Sequence, residues 1–191
     1  MGDNHREDGG HDRNHHDHTD HEHHQHDLET LGVAVVTVSS SRGINGDTAG
    51  EAIAEIAEAA GHAVSVRELI NDDFDTVQNT VDRLVNRGDT DCVITTGGTG
   101  VTPDDVTVEA AKPLFRKHLP GFGELFRQLS REEIGTRVIG TRATAGIVDS
   151  VPVFCLPGSE NAARLGTEEI IVEEAPHLAG LARRDEDEFE E

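Results

Sequence analysis

A glycine-rich loop is the part of this sequence best suited to chemistry. Residues 95–100 read Thr-Thr-Gly-Gly-Thr-Gly and follow the apolar run 92–94. Three glycines let backbone N–H groups approach an anion, and the hydroxyls of Thr96 and Thr99 add hydrogen-bond donors. No Gly-Lys-Ser/Thr follows, so this is not a Walker A loop, and Pro103 stands at the third glycine of GxGxxG. The loop therefore predicts a phosphate site, with an ordinary tight turn as the alternative.

Two pairs of carboxylates accompany this loop. Asp104 and Asp105 directly precede a predicted helix, and Asp72 and Asp73 follow a predicted strand. Each pair alone is more typical of a helix start or a turn. Because parallel strands end at one edge of their sheet, both pairs and the loop are expected to lie together. A carboxylate beside a phosphate usually needs a divalent cation between them, which indicates Mg²⁺-assisted phosphoryl or nucleotidyl transfer.

Alternating strands and helices must position these groups. Apolar patterns predict strands over 31–38, 64–69, 92–96, 144–148 and 151–156, the last two around a turn at 149–150. They predict helices starting at 47–48, and over 74–87, 107–118 (bent at Pro113), 121–129 and 161–174. Short loops and helical crossovers predict parallel βαβ units. The expected fold is therefore α/β, a three-layer αβα sandwich with a mostly parallel sheet.

The net charge of the chain argues against some classes of binding partner. With 38 acidic and 16 basic side chains, the formal net charge is −22. This argues against proteins that bind nucleic acid or anionic membranes. No apolar run approaches the length of a membrane span, and the N-terminus lacks an apolar signal segment, so we expect a cytoplasmic protein. The excess of carboxylates indicates a halophilic protein of haloarchaeal type; the alternative is an ordinary acidic cytosolic one.

The composition also divides the chain. Residues 1–27 hold nine of the 12 histidines and almost no apolar side chain, which predicts a disordered tail. Its histidines are able to bind transition metals weakly, and a solvated polar tail is the alternative. Residues 28–182 form the predicted domain, and 183–191 an acidic C-terminal tail. Cys92 and Cys155 lie in short apolar runs and are expected to be buried thiols.

Seven motifs occur in one order along the chain: residues 47–50, 95–110, 120–124, Arg127, 129–135, 142–146 and 156–159. Together they resemble the MogA/MoaB family of molybdenum cofactor biosynthesis. The resemblance covers about residues 30–180, and the stretch 113–135 is closer to the MoaB branch.

The resemblance implies a molybdopterin-binding fold that forms a homotrimer or homohexamer. Active members use ATP and Mg²⁺ to adenylylate the terminal phosphate of molybdopterin, releasing pyrophosphate before a molybdenum-insertion protein acts. Matched residue by residue, Asp72 and Asp105 are the implied catalytic and Mg²⁺-binding residues. The implied phosphate-binding residues are Thr96, Gly97, Gly98, Thr99, Gly100, Gly158 and Ser159.

One departure keeps a second function open. The family often has arginine where this chain has Asp104, so a cation is missing beside a polyanionic substrate. The alternative is a catalytically silent molybdopterin-binding protein of the MoaB type. A metal store or chaperone built on the histidine-rich tail would leave the ordered motifs unexplained. A Rossmann dehydrogenase is disfavoured by the failed GxGxxG pattern.

Overall fold

The computed structural model describes residues 27–40 and 46–187. The predicted disordered tail, apart from Asp27, lies outside the described residues. So do residues 41–45 and the end of the predicted acidic tail, residues 188–191. Among the residues described, no helix is both long and apolar enough to cross a membrane.

Six strands form one sheet in the order β2-β1-β3-β6-β5-β4. Their bounds are β1 Gly32–Val38, β2 Ala63–Ile70, β3 Cys92–Thr96, β4 Lys117–His118, β5 Thr144–Val148 and β6 Val151–Leu156. Strands β1, β2, β3 and β6 run parallel, whereas β5 is antiparallel to β6 and β4 to β5. The mostly parallel sheet is therefore confirmed.

Helices cover both faces of this sheet. They are α1 Thr48–Ala59, α2 Phe74–Val85, α3 Thr107–Ala111, α4 Pro120–Ile134, α5 Glu160–Gly166 and α6 Val172–Asp187. Alternate residues of β1 point to opposite faces, as the two-residue period of a strand requires. Val33 and Val35 pack in a core with α1, α4, α5 and α6. Val36 packs on the other face with α2 and α3, so the three-layer sandwich is confirmed.

The chain between α3 and α4 differs from its prediction. Helix α3 ends at Ala111, and a 3₁₀ turn, Lys112–Leu114, follows it. Pro113 lacks the N–H group that would continue an α-helix, which explains the early end. The chain then adds the edge strand β4, whose Lys117 pairs with Ile147. Two residues are too few to show a strand pattern in the sequence.

The C-terminal helices are also longer than predicted. Helix α4 continues to Ile134, and a π-helical turn, Thr167–Ile171, joins α5 to α6. The latter helix runs to Asp187 and so includes part of the predicted acidic tail. In contrast, the turn at Asp149 and Ser150 is confirmed, since both have positive φ, as a two-residue hairpin of type I′ requires.

Both cysteines are buried thiols, as predicted. Burial raises the pKa of the Cys155 thiol to about 11, and that of the Cys92 thiol further still. Neither thiol is therefore poised to act as a nucleophile at neutral pH.

Removing residues 1–26 is expected to leave the melting temperature in high salt nearly unchanged. Residues 1–26 contain almost no apolar side chain, and within the described residues the first N-terminal contact is that of Asp27, whose Oδ1 lies 2.8 Å from His177 Nδ1. The Leu28 N–H group also donates to the Pro176 carbonyl at 3.3 Å. Thermal melts in metal-free buffer test this, with deletion of 1–27, which also removes the Asp27 contact, as the matched variant. A fall of several degrees on deleting 1–26 would contradict it.

Candidate functional site

The carboxyl ends of four parallel strands enclose a cleft of about 380 Å³. Strands β2 and β3 lie on opposite sides of β1, so the successive crossovers place α1 and α2 on opposite faces. This reversal opens a crevice at the strand ends, where ligands bind in open α/β sheets. The cleft is lined by eight of the nine predicted site residues: Asp72, Gly97, Gly98, Thr99, Gly100, Asp105, Gly158 and Ser159.

The glycine loop has a backbone that only glycine adopts easily. Gly97 has φ 106° and Gly98 has φ 65°, both in the left-handed region. A Cβ on Gly97 would lie 2.2 Å from the Val38 carbonyl oxygen, and one on Gly98 would lie 2.3 Å from Thr107 Oγ1. The Thr107 hydroxyl donates to the Gly97 carbonyl at 2.8 Å, and its N–H donates to the Gly98 carbonyl at 3.0 Å. Thr107 thus fastens the loop to the start of α3.

Thr96 is the predicted binding residue that does not line the cleft. It is buried, and its hydroxyl donates to the Pro157 carbonyl at 2.9 Å. The Gly97 N–H group also donates to the Leu156 carbonyl at 3.0 Å. These bonds join the loops that follow β3 and β6. The structure therefore gives the Thr96 hydroxyl an internal partner, and its contact with a ligand stays a prediction.

The loop after β6 closes the other side of the cleft. A Cβ on Gly158 would lie 3.0 Å from the Gly97 Cα, so the two loops approach closely there. Ser159 begins α5, and its hydroxyl accepts a hydrogen bond from the Ala162 N–H group at 3.3 Å. This bond leaves the hydroxyl hydrogen of Ser159 available to a ligand.

Asp72 brings to the cleft a carboxylate that is partly buried, incompletely hydrogen-bonded and close to other negative charges. Its Oδ1 atom is buried and finds no hydrogen-bond partner among the described residues. A Cβ on Gly98 would lie 2.8 Å from this oxygen, which places the carboxylate against the glycine loop. Burial, and after it the charges of Asp105 and Asp104, raise the pKa of Asp72. A cation bound here would relieve both the repulsion and the missing bond.

Asp73 is separated from this site although it is the next residue. Its carboxylate caps α2, with Oδ1 accepting from the Thr76 N–H group at 3.1 Å and Oδ2 from the Thr76 hydroxyl at 3.0 Å. Those bonds lower the pKa of Asp73. Of the pair noted in the sequence, only Asp72 lines the cleft.

Asp105 is held in a tight turn and does not cap a helix. Its Oδ2 accepts from the Thr102 N–H group at 2.8 Å and from the Thr102 hydroxyl at 2.6 Å. Helix α3 begins after Val106 without a side-chain cap. Burial acts to raise the pKa of Asp105, but the bonds from Thr102 and Gly100 and the charge of Arg142 outweigh it and lower the pKa. The carboxylate therefore stays ionised beside the glycine loop.

The donor set fits Mg²⁺ held jointly with a phosphate. Among residues 27–40 and 46–187 no three His, Cys, Asp or Glu side chains are grouped so that they could hold a metal alone. Mg²⁺ is commonly bound by one or two carboxylates together with substrate phosphates. Asp72 and Asp105 supply two carboxylates, and the unpartnered oxygen of Asp72 supplies an unused ligand atom.

Arg142 is the contact residue of this site to which the sequence assigns no role. Its Nε donates to the Gly100 carbonyl at 2.6 Å, and its Nη2 donates to the Asp105 carbonyl at 3.0 Å. Arg142 immediately precedes the segment that becomes β5, and β5 is antiparallel to β6. The start of β5 therefore meets the edge where the parallel strands end. The motif 142–146 includes Arg142, but its position 37 residues along the chain from Asp105 gives no local signal of this contact.

Three comparisons relate the chain to known proteins. Residues 34–177 match the family described as "Probable molybdopterin binding domain". "Molybdenum cofactor biosynthesis protein B" of Bacillus subtilis (strain 168) is 41% identical over 152 residues, covering 79% of this chain and 89% of the relative. A crystal structure of a "Molybdenum cofactor biosynthesis protein B" is 36% identical with a TM-score of 0.78, covering 82% and 99%. The "tungsten cofactor synthesizing protein MoaB" of Pyrococcus furiosus is 41% identical with a TM-score of 0.74, covering 82% and 99%.

Proposed function

Since this chain belongs to the family of molybdopterin-binding domains, we propose that it acts in molybdenum cofactor biosynthesis and adenylylates molybdopterin. The reaction joins the terminal phosphate of molybdopterin to the α-phosphorus of ATP and releases pyrophosphate. The observation that carries the proposal is the carboxylate of Asp72, whose buried oxygen lacks a partner among the described residues and lies beside the glycine loop and Asp105. An acceptor oxygen without a donor, next to an anion loop, is what a cation–phosphate pair would complete.

The chain's own residues bind and align the two substrates. The backbone N–H groups of Gly98 and Thr99 hold phosphate oxygens, because consecutive peptide dipoles form an anion-binding concavity, whereas the Gly97 N–H group is already bonded to the Leu156 carbonyl. The hydroxyl of Ser159 donates from the opposite loop. This alignment brings the attacking phosphate oxygen in line with the bond to the leaving pyrophosphate. Positioning supplies most of the catalysis, since phosphoryl and related transfers need little covalent help from protein.

Asp72 and Asp105 would hold Mg²⁺, which neutralises the charge that develops on the transferred and leaving phosphates. Asp105 contributes an oxygen kept ionised by its hydrogen bonds. Asp72 contributes the oxygen that has no partner among the described residues. The raised pKa of Asp72 supports this assignment, because like charges brought together this way are usual at binding sites.

Asp104 favours a second candidate, a protein that binds molybdopterin without adenylylating it. Its charge contributes to the raised pKa of Asp72, and it is exposed in the turn that precedes α3. In the resembling family an arginine often stands there, and a cation at that place would attract the triphosphate. The substitution weakens the attraction for ATP more than that for the singly phosphorylated pterin, since repulsion scales with ligand charge.

Incubating the full chain with molybdopterin, ATP and Mg²⁺ in molar KCl decides between the two. Adenylylation predicts a product heavier by one adenylyl group and one pyrophosphate released per product, both lost when EDTA is present. Mass spectrometry and a pyrophosphate assay measure these. Molybdopterin binding without product would favour the silent candidate, and failure to bind molybdopterin would contradict both.

The assembly and its place in the cell are part of the same proposal. We propose a homotrimer or homohexamer in the cytoplasm that passes its product to a molybdenum-insertion protein. The Pyrococcus furiosus relative is described as synthesising a tungsten cofactor, so either metal is compatible with the proposal. Light scattering on the purified chain measures the oligomer.

Both ATP affinity and thermal stability are expected to rise as KCl increases toward molar concentration. Residues 28–182 contain 12 basic and 24 acidic side chains, a net charge of −12, and three carboxylates stand near the cleft. Their repulsion reaches about 30 Å at 0.01 M salt and about 3 Å at 1 M. Calorimetric titration of ATP and thermal melts across a KCl series measure both. Tighter ATP binding at low salt, with the fold intact, would contradict the expectation.

A further inference from the structure

The guanidinium group of Arg142 joins the two ends of the loop that carries Asp105. Its Nε donates to the carbonyls of Gly100 at 2.6 Å and Thr99 at 3.3 Å, and its Nη2 donates to the Asp105 carbonyl at 3.0 Å. The remaining edge of the group pairs with the Glu109 carboxylate on α3. One side chain thus spans from the end of the glycine loop to the start of α3.

The segment between these two ends has little else to hold it. Residues 101–104 are exposed, and Val101, its only large apolar side chain, is 75% exposed. The internal bonds are those between Thr102 and Asp105, which close a turn but do not attach it to the domain. Without apolar burial, the attachment depends on hydrogen bonds to a side chain from another element.

Fixing these carbonyls also fixes the N–H groups that share their peptide planes. In a trans peptide the C=O and N–H bonds point in opposite directions. The Thr99 carbonyl shares its plane with the Gly100 N–H group, which lies beside the Asp105 carboxylate and helps to lower its pKa. Holding the Thr99 carbonyl therefore aims the Gly100 N–H group at that carboxylate.

The geometry requires arginine and not simply a positive charge. Guanidinium is planar and presents five N–H donors in a fixed fork, so it can serve several carbonyls and a carboxylate at once. A lysine ammonium carries the same charge as a point with three rotating donors. Glu109 accepts from the outer edge of the fork and so orients it toward the loop.

We propose that Arg142, oriented by Glu109, is a positioning residue that holds Asp105 and the end of the glycine loop in reactive geometry. Its significance for adenylyl transfer rests on the proposed function, whereas its effect on the loop does not. Asp105 and the loop touch the substrates, and Arg142 acts through them.

Two Arg142 variants and a matched control test the proposal. Arg142→Gln removes the charge and the fork, and Arg142→Lys keeps the charge alone. Arg116→Lys is the control, because Arg116 forms a similar exposed pair with Asp149, at 2.8 and 2.7 Å, in the hairpin at the opposite edge of the sheet. Glu109→Gln is a milder variant that retains Arg142 and keeps the test open if an Arg142 variant unfolds.

Two measurements need no substrate. Carbon-13 NMR of the Gly100 and Asp105 backbone carbonyls, which accept from Arg142, is expected to show changed chemical shifts in both Arg142 variants, with the larger change in Arg142→Gln. Amide hydrogen exchange at Gly100 is expected to accelerate about tenfold, the equivalent of losing a typical hydrogen bond. Glu109→Gln should shift both in the same direction by less, and Arg116→Lys should shift neither.

Kinetics then link the loop to the reaction. Both Arg142 variants are expected to lower kcat by roughly 10–100-fold, as loss of supporting contacts does, while KM for molybdopterin stays within about twofold. A lysine variant equal to wild type in kcat and in amide exchange would overturn the proposal, as would an Arg142→Gln variant that changes neither NMR readout. If wild type itself lacks activity, the proposed function fails, while the NMR shifts still decide the positioning role.

Discussion

Replacing Asp105 by asparagine is expected to lower the rate of the proposed adenylyl transfer by roughly 100-fold or more. Loss of even the supporting partners of metal ligands typically costs 10–100-fold. The variant should remain folded. Asparagine keeps a side-chain oxygen that can accept from the Thr102 N–H group and hydroxyl, the two bonds that form the turn. It loses the negative charge that Mg²⁺ requires. The change therefore separates the chemical role of Asp105 from its structural one.

Initial rates of pyrophosphate release at saturating ATP and Mg²⁺ measure the loss. Asp73→Asn is the matched control, because Asp73 only caps α2 and asparagine is an equally good cap. Near-normal rates are expected there. Full activity in Asp105→Asn would reduce Asp105 to a turn residue and contradict the Mg²⁺ assignment.

Replacing Asp72 by asparagine is expected to lower the proposed activity about as much as the Asp105 variant does. It is also expected to raise the melting temperature of the ligand-free protein at neutral pH. The pKa of Asp72 is raised by burial and by the charges of Asp105 and Asp104. Ionised Asp72 is therefore less favourable in the folded chain than in the unfolded one. Below its ordinary pKa of 3.8, Asp72 is protonated in both the folded and the unfolded chain and does not destabilise the fold. As pH rises through the higher pKa of the folded state, Asp72 ionises in the cleft and stability is lost.

Melting curves recorded from acidic to neutral pH test whether ionisation of Asp72 destabilises the fold. The difference between Asp72→Asn and wild type should be near zero below the ordinary pKa of Asp72 and should grow as wild-type Asp72 ionises. Adding Mg²⁺ together with ATP should stabilise wild type and not the variant. Asp105→Asn is the control of opposite sign, since the lowered pKa of Asp105 means that its ionised form stabilises the fold. A lower melting temperature for Asp72→Asn at neutral pH would contradict the expectation that ionised Asp72 destabilises the folded chain.

The framework of the site was readable from the sequence. Buried strands, helical stripes and stop signals are local patterns, so β1, β2, β3 and their crossovers could be predicted within a few residues. Parallel strands linked by such crossovers must end at one edge, which is why the sequence alone could group Asp72 with Asp105. The glycines of the loop were also readable locally, whereas the positive φ of Gly97 and Gly98 is a finding of the structure.

The tertiary structure decided which side chains of those motifs are used. The Asp73 carboxylate caps α2, and the Thr96 hydroxyl donates to the Pro157 carbonyl. Both residues are next in sequence to residues that line the cleft. Strand directions and loop closures set these orientations. Neighbouring residues on a strand point opposite ways, and in a loop their directions depend on the local backbone, so a shift of one residue separates a ligand from a structural bond.

By itself, the sequence determined the order of elements, the glycine loop and the carboxylates that could bind a metal. Only the tertiary structure showed that Arg142 reaches the loop, that Asp72 has a buried oxygen without a partner among the described residues, and that β4 forms an edge strand. The reason is the range of the interactions. Helix and strand patterns repeat within a few residues, whereas Arg142 lies 37 residues from Asp105 and meets it because β5 runs antiparallel to β6.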